Sequence, residues 1–135
     1  MTRNQIITKV RGLNLPKDSY VVFGNCPLAI AGIREANDID LLVSKELFVK
    51  LKKSGWKEFY KSSNDIPLIH DVFEAHEHWS FSSYNPTLKH LLISSTSIGG
   101  IPFASLLEVR KWKTVSKRQK DLADIELIDK FLAKK

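Results

Sequence analysis

The stretch Val22-Phe23-Gly24-Asn25-Cys26-Pro27-Leu28-Ala29, together with Asp38-Ile39-Asp40-Leu41-Leu42-Val43, decides the fold. The first run passes from β-branched and aromatic residues to a Gly-Asn pair and then to proline. That order predicts a buried strand, a tight turn and a short helix. The second run is apolar apart from its aspartates, which predicts a second strand buried on both faces. These two strands form the centre of the predicted structure.

Helices and strands alternate on both sides of this centre. Capping-box patterns that begin at Thr2, Ser105 and Ser116 predict three helix starts, and Ser44 predicts a fourth. The remaining predicted elements are strands at 20–23 and 56–60, one strand with its core at 68–73, a short helix from Asn85 to His90 or Leu91, and a hairpin over 93–104 around Gly99-Gly100. This interleaving predicts a single domain, residues 1–135, of the α/β (α+β) class, with a small mixed sheet flanked by helices.

The composition narrows the class of protein. A chain of 135 residues with 43% hydrophobic and 27% charged residues is typical of one folded domain and excludes disorder. Its one cysteine, Cys26, cannot form an intramolecular disulfide, and no apolar run approaches the roughly 20 residues that cross a bilayer. The N-terminus lacks the pattern of a signal peptide. We therefore expect a cytoplasmic protein with no membrane span.

The charge balance is basic. The chain has 21 Lys and Arg against 15 Asp and Glu, a formal net charge of +6. Such a balance favours a polyanionic partner, either the phosphates of a nucleotide or a nucleic acid. A basic surface that only keeps the protein in solution is the simpler alternative.

Asp38 and Asp40 are the first candidates for a chemical role. Residues at i and i+2 of a strand share a face, so the two carboxylates project together about 7 Å apart and repel each other. A bound Mg²⁺ or Mn²⁺ would relieve that repulsion, because these ions prefer oxygen ligands. The structural alternative is that Asp38 caps a turn and Asp40 pairs with Arg34.

Gly24 lies at the predicted turn between the first strand and its helix. A glycine at such a turn lets the backbone approach a phosphate, and the N–H groups at the start of the following helix point toward the anion. A phosphate loop and a pair of metal-binding carboxylates are thus predicted on neighbouring strands.

Together these residues resemble a family. Phe23-Gly24-Asn25, Gly32-Ile33-Arg34 and Asp38-Ile39-Asp40-Leu41 are similar to the signature of the DNA polymerase beta-like nucleotidyltransferase superfamily, in its small single-domain, aminoglycoside-nucleotidyltransferase-like branch. The C-terminal Arg118-x-Lys120-Asp121 resembles an element at the head of the last helix in that superfamily. The resemblance covers residues 19 to 132. It implies a third carboxylate on a later strand, for which Asp71 is the best match and Glu74 the alternative.

The resemblance also implies an activity: a metal-dependent transfer of NMP from an NTP to a hydroxyl acceptor, which could be a small molecule, an RNA or a protein. In this interpretation Asp38, Asp40 and Asp71 are the catalytic residues and the ligands of Mg²⁺ or Mn²⁺. Gly24, Asn25 and Arg34 bind the nucleotide. The pattern names neither the base nor the acceptor.

A second function class remains open, a non-catalytic nucleotidyltransferase-like module that binds a nucleotide or RNA or acts as an antitoxin-like partner. Asn25 favours it, because the family usually has Ser or Gly at that position. The length of the chain also favours it, since many relatives carry a second, substrate-binding domain. Retention of the Asp38 and Asp40 pair favours the enzyme.

Four other features have ordinary interpretations that we prefer. His76-Glu77-His78 is typical of a polar loop edge, although its two histidines would share a face on a strand. Cys26 is typical of a small buried residue. Trp112 has the spacing of a core residue on a helix. Arg118 and Asp121 fit an i,i+3 ion pair, and the neighbouring lysines fit a solvated face or, as the minority interpretation, a phosphate or RNA contact.

Overall fold

A computed structural model describes residues 1–134 of the chain, and within this range the predicted mixed α/β architecture is confirmed. The helices are α1 Arg3–Gly12, α2 Cys26–Ile30, α3 Lys45–Lys53, α4 Leu88–Ile93, α5 Leu106–Ser116 and α6 Gln119–Ala133. The strands are β1 Tyr20–Phe23, β2 Ile39–Val43, β3 Lys57–Glu58, β4 Leu68–His70, β5 Phe73–His76, β6 Thr96–Ile98 and β7 Ile101–Phe103. None of these helices combines the length and the apolar composition needed to span a bilayer.

The strands form one seven-stranded sheet in the order β3-β4-β5-β2-β1-β7-β6. The sheet is mixed: β1 runs antiparallel to β2, whereas the pairs β2 with β5 and β1 with β7 are parallel. The outer pairs are antiparallel. Strand β2 is central, with its early residues next to the end of β1 and the start of β5, which places three predicted polar segments near one another.

Two hydrophobic clusters cover the two faces of the sheet. Side chains alternate along a strand, so Val22 and Leu41 lie on the face that packs against α1 and α3, whereas Val21, Phe23 and Leu42 lie on the face that packs against α4, α5 and α6. Both clusters contain residues that are fully buried. The predicted burial of the central strands on both faces is thereby confirmed.

Most helix starts follow the predicted caps. Thr2 forms a complete capping box with Gln5, and the hydroxyls of Ser44 and Ser105 accept hydrogen bonds from the first turns of α3 and α5. The start of α4 differs, because Thr87 rather than the predicted Asn85 is its cap.

The start of α6 also differs from its prediction. Ser116 is the last residue of α5 rather than a cap, and Lys117 ends that helix in a left-handed conformation with φ 57°. The cap of α6 is instead Arg118, whose backbone N–H donates to the Asp121 carboxylate. This shift of two residues places Arg118 at the junction of α5 and α6, which pack on each other.

The segment predicted as one strand at 68–73 is two antiparallel strands, and that prediction was wrong. His70 of β4 lies opposite Phe73 of β5, so the chain reverses over Asp71 and Val72. Asp71 takes a positive φ of 53°, a conformation that aspartate tolerates better than most residues. The reversal moves the residues after Asp71 onto a new strand beside β2.

Candidate active site

A cleft with a volume of about 610 Å³ lies on the α4–α6 side of the sheet, where the end of β1 meets the early residues of β2 and β5. Three groups of residues line it: polar side chains from the central strands, the loop between β3 and β4, and an aromatic and basic wall from α5, α6 and the segment after β5. Both the acidic pair and the C-terminal cations of the sequence analysis meet in this cleft.

An acidic cluster forms the strand side of the cleft. Asp40 of β2 and Glu74 of β5 are register partners in the parallel pair, so their side chains lie on the same face. Asp38 lies just before β2 and lines the same cleft. His76, two residues after Glu74 on β5, completes a group in which ligand atoms of Asp40, Glu74 and His76 lie within 4.8 Å of one another.

Close contacts with charged groups set the protonation of this cluster. The Nε2 atom of His76 lies 3.2 Å from Glu74 Oε1 and 3.7 Å from Asp40 Oδ1. Burial opposes the charged imidazole, but the carboxylates of Asp40 and Glu74 outweigh it and raise the pKa of His76 to about 9. His76 and then Lys61 lower the pKa of Glu74 to about 2 against the effect of burial. Both side chains are therefore charged at neutral pH.

Asp38 has the opposite electrostatic environment. Burial, followed by the charges of Asp40 and Glu74, raises the pKa of the Asp38 carboxyl above its ordinary value. Within residues 1–134 the structure gives Asp38 no ion pair. The cluster thus carries negative charge that its own cations leave incompletely neutralised, and an added cation would be attracted to it.

The glycine turn lies directly against Asp40. Gly24 has φ 66°, and a Cβ at this position would come within 2.2 Å of Asp40 Oδ2. Asn25 lines the cleft beside it, and its buried Oδ1 has no hydrogen-bond partner among the described residues. A buried amide oxygen without a partner is costly unless a ligand or water meets it. The turn therefore leaves room for the Asp40 carboxylate at Gly24 and brings an unpartnered polar atom of Asn25 to the cleft.

Cations from the start of α6 form the opposite wall. Arg118 and Lys120 both line the cleft. The Arg118 guanidinium is oriented by a 2.7 Å hydrogen bond from its Nε to Asp121, which confirms the predicted i,i+3 pair, and it lies over the Trp112 ring at 5.8 Å. The cations of Arg118 and Lys120 thus face the carboxylates across the cleft. A polyphosphate with a bound metal ion would need this arrangement of opposite charges.

Aromatic rings form the floor between these walls. Trp79 stacks on Phe23 with ring centroids 4.8 Å apart and meets Trp112 edge to face at 5.1 Å. Trp79, Phe81 and Trp112 all line the cleft. Trp112 is 5% exposed, so its prediction as a core residue is confirmed, and its edge also closes the base of the cleft.

The structure brings some of the predicted site residues together and leaves two outside. Asp38, Asp40 and Asn25 line the cleft, with Gly24 behind Asp40. Asp71 does not line it; its half-exposed carboxylate, at the turn between β4 and β5, contacts Lys9 of α1 at 3.1 Å. The third carboxylate at the cleft is Glu74, the alternative from the sequence analysis.

Arg34 is also outside the cleft. Its guanidinium donates to Asp124 of α6 at 2.7 Å, so the alternative in which Arg34 pairs with Asp40 is not what the structure contains. Cys26 is buried as expected, and its thiol donates a hydrogen bond to the backbone oxygen of Asp38. That bond ties the start of α2 to the turn that presents the acidic pair.

His76 is the residue that the sequence analysis missed, because the His-Glu-His run was interpreted as a polar loop edge. Instead His76 ends β5 and is 8% exposed at the cleft. The available signal was the alternation of Phe73, Glu74, Ala75 and His76, which places Glu74 and His76 on one face of a strand. Only the end of the run, around His78, is exposed.

Comparisons with known proteins identify the fold. No protein-family model and no curated protein matches the chain. A crystal structure of a candidate nucleotidyltransferase from Thermotoga maritima superposes with a TM-score of 0.59 at 19% identity, covering 100% of this chain and 97% of that one. The structure of ANT(2″)-Ia in complex with adenylyl-2″-tobramycin superposes with a TM-score of 0.56 at 14% identity, covering 96% and 86%. The chain has a nucleotidyltransferase-like fold.

Proposed function

We propose that this chain is a metal-dependent nucleotidyltransferase that moves NMP from an NTP to a hydroxyl acceptor. The observation that carries the proposal is the meeting of Asp38, Asp40 and Glu74 with the Gly24-Asn25 turn in one cleft, opposite a basic wall. Neighbouring structures of the same fold support it, one of them an enzyme named for aminoglycoside nucleotidyl transfer.

The donor set fits a divalent cation such as Mg²⁺ or Mn²⁺. Carboxylate oxygens are the ligands these ions prefer, and Asp38, Asp40 and Glu74 would hold the ion. The raised pKa of Asp38 and the unpartnered Asn25 Oδ1 are both signs of a site built for a further polar or charged group. When bound, the ion would neutralise phosphate charge and lower the pKa of the acceptor hydroxyl.

The basic wall and the glycine turn would hold the triphosphate. We assign the phosphate contacts to Arg118 and Lys120 rather than to Arg34, because Arg118 and Lys120 line the cleft and Arg34 does not. The side chain of Asn25 would contact the phosphates from the strand side, while Gly24 behind it leaves room for the Asp40 carboxylate. In this arrangement the α-phosphorus would lie between the two walls, where an acceptor hydroxyl could approach in line.

The transfer step forms one bond and breaks one. The acceptor oxygen attacks the α-phosphorus, a new P–O bond forms, and the bond from that phosphorus to the bridging oxygen breaks to release pyrophosphate. A carboxylate oxygen of Asp38 takes the hydroxyl proton. Asp38 suits this role better than Glu74, because Glu74 Oε1 already contacts Lys61 and His76, whereas Asp38 has no ion pair among residues 1–134.

Calorimetry with non-hydrolysable nucleoside triphosphates, with and without Mg²⁺, tests the proposal. We expect binding that requires Mg²⁺ and is lost in Asp40→Asn, while the control Asp129→Asn, at an exposed pair on α6, binds normally. An α-labelled NTP offered with small hydroxylated acceptors, including an aminoglycoside because one neighbour holds an adenylylated one, then tests transfer. Binding that ignores both Mg²⁺ and Asp40 would favour the non-catalytic module.

A further inference from the structure

The loop between β3 and β4 closes over the acidic cluster. Residues 61–65, here called the clasp turn, reverse tightly: Ser62 and Asp65 exchange backbone hydrogen bonds of 3.2 and 3.1 Å. The two ends of the clasp turn carry opposite charges, Lys61 and Asp65, and both point into the cleft. The turn is thus a separate structural unit attached to the site by its charged ends.

Each end of the clasp turn contacts one member of the cluster. The Lys61 ammonium pairs with Glu74 Oε1, and Asp65 Oδ1 lies 3.7 Å from His76 Nδ1. The same Glu74 oxygen also faces His76 Nε2 at 3.2 Å. Glu74 therefore already has two cationic neighbours at one of its carboxylate oxygens.

Lys61 differs from the other groups around Glu74 in how firmly it is held. Its side chain is 40% exposed, against 9% for His76, and it reaches Glu74 from a loop rather than from the sheet. A lysine on a flexible stem is a strongly hydrated point charge that exchanges partners readily. Of the two cations at Glu74, Lys61 is the one that can leave without disturbing a strand.

We propose that Lys61 is a positioning residue for the acidic cluster: its ammonium holds Glu74 in the absence of a divalent cation, and the cation displaces it on binding. The inference rests on the proposed function, because it takes the cluster to be a metal site. Displacement releases the Lys61 end of the clasp turn, so metal binding and opening of the turn are the same event.

Titration of the protein with Mn²⁺ alone, followed by calorimetry, tests the competition. In Lys61→Met the competing charge is gone, so the Kd for Mn²⁺ should fall about two- to tenfold, the range that a half-exposed ion pair can supply. Lys61→Arg keeps the charge and should bind Mn²⁺ like the parent. Lys120→Met removes a cation from the far wall of the same cleft and should tighten binding less than Lys61→Met.

Three results of this titration would overturn the inference. These are an unchanged or weaker Mn²⁺ affinity in Lys61→Met, an equal gain in Lys120→Met, which would indicate a general charge effect, and no Mn²⁺ binding by any variant. Only the last of them also removes the metal site of the proposed function. In the first two, Mn²⁺ still binds and the nucleotidyltransferase proposal stands.

Hydrogen exchange read by mass spectrometry gives an independent measurement on the unaltered protein. The amides of Lys61, Ser62 and Asp65 are hydrogen-bonded within the turn, and saturating Mg²⁺ should speed their exchange by releasing the Lys61 end. A peptide covering α3 serves as the internal reference. Slower or unchanged exchange in the clasp turn of a protein that has bound Mg²⁺ would overturn the inference.

Discussion

Two clusters of charge lie on the same side of the sheet, and they are built in opposite ways. In the helix network, formed by Lys113, Asp121 and Asp124 with Arg34 and Arg118, the lysine is 1% exposed and contacts both aspartates. Each aspartate also contacts one arginine. In the acidic cluster of the cleft, carboxylates outnumber the cations beside them, and Asp38 has a raised pKa.

The difference separates buried charge that supports the fold, on Lys113, Asp121 and Asp124, from charge at the cleft that is available for a ligand. Every buried charge of the helix network has two opposite partners, as burial requires if the charges are not to destabilise the protein. The acidic cluster leaves Asp38 without an ion pair among residues 1–134 and the Asn25 oxygen unpartnered. Substitutions in the two clusters should therefore change stability in opposite directions.

The largest expected effect is in the helix network. Asp124→Asn removes a charge that holds both Lys113 and Arg34 and leaves the buried ammonium with Asp121 alone, so we expect a loss of about 3 kcal/mol of unfolding free energy. Urea unfolding measures it. Asp129→Asn, which breaks the exposed pair with Arg110 on the same helix, should leave the urea midpoint almost unmoved. Similar losses in both variants would contradict a special role for the buried network.

The glycine turn gives the next largest effect. Gly24→Ala places a side chain at positive φ and against Asp40, so we expect a loss of about 2 to 3 kcal/mol and displacement of the Asp40 carboxylate. Gly32→Ala is the matched control, since Gly32 has φ 77° but open space around its Cβ position. Urea unfolding of both variants separates the two causes, because only Gly24→Ala adds a contact with Asp40. Equal losses of unfolding free energy would mean that the strained backbone explains the whole effect.

Acid unfolding sharpens the comparison further. The hydrogen bond from Arg118 and the charge of Lys113 outweigh burial and lower the pKa of Asp121 to about 2 in the folded protein. A depressed pKa stabilises the fold above the unfolded value near 3.8, and this contribution, about 2 kcal/mol, disappears as the pH falls toward 2. The difference in unfolding free energy between the parent and Asp121→Asn should be largest near pH 6 and should decrease as the pH falls below 3.8. A gap independent of pH would rule out this coupling.

The smallest change in stability is expected at Asp38. A carboxylate whose pKa is raised by burial and by like charges destabilises the folded state when ionised, so Asp38→Asn should leave the melting temperature unchanged or raise it slightly. The same variant should lose the stabilisation that Mg²⁺ with a non-hydrolysable NTP gives the parent. Differential scanning calorimetry measures both. A clear fall in melting temperature without metal would mean that Asp38 supports the fold.

The sequence predicted the centre of the fold well because local signals agreed there. β-Branched residues, a glycine turn and a proline start together indicated β1 and α2, and the Gly99-Gly100 pair indicated the β6–β7 hairpin. Thr2 and Ser105 fixed two helix starts. In each case the backbone conformation depends on residues within one turn, so tertiary contacts had little to override.

Two of the errors share one physical origin, left-handed backbone at residues other than glycine. Asp71 at φ 53° turns one predicted strand into a hairpin, and Lys117 at φ 57° separates α5 from α6, so that the cap of α6 is Arg118 and not the predicted Ser116. The sequence carries no glycine at either position. The first of these reversals put Glu74 and His76 at the cleft and left Asp71 outside, so the pair Asp38 and Asp40 was predictable but the third carboxylate was not.

The parallel pairing of β1 with β7 has a consequence for how the protein folds. Val22 lies opposite Phe103, so a central pair of the sheet joins segments far apart in the chain, and closing so long a loop carries an entropic cost that nearby contacts do not. Strands β1 and β2 can meet early through a short connection. Arg118 and Lys120 follow β7 in the chain, and they reach the cleft only when α5 and α6 pack on the sheet. The carboxylate half of the cleft should thus form before its basic half, which makes ligand binding a late event in refolding.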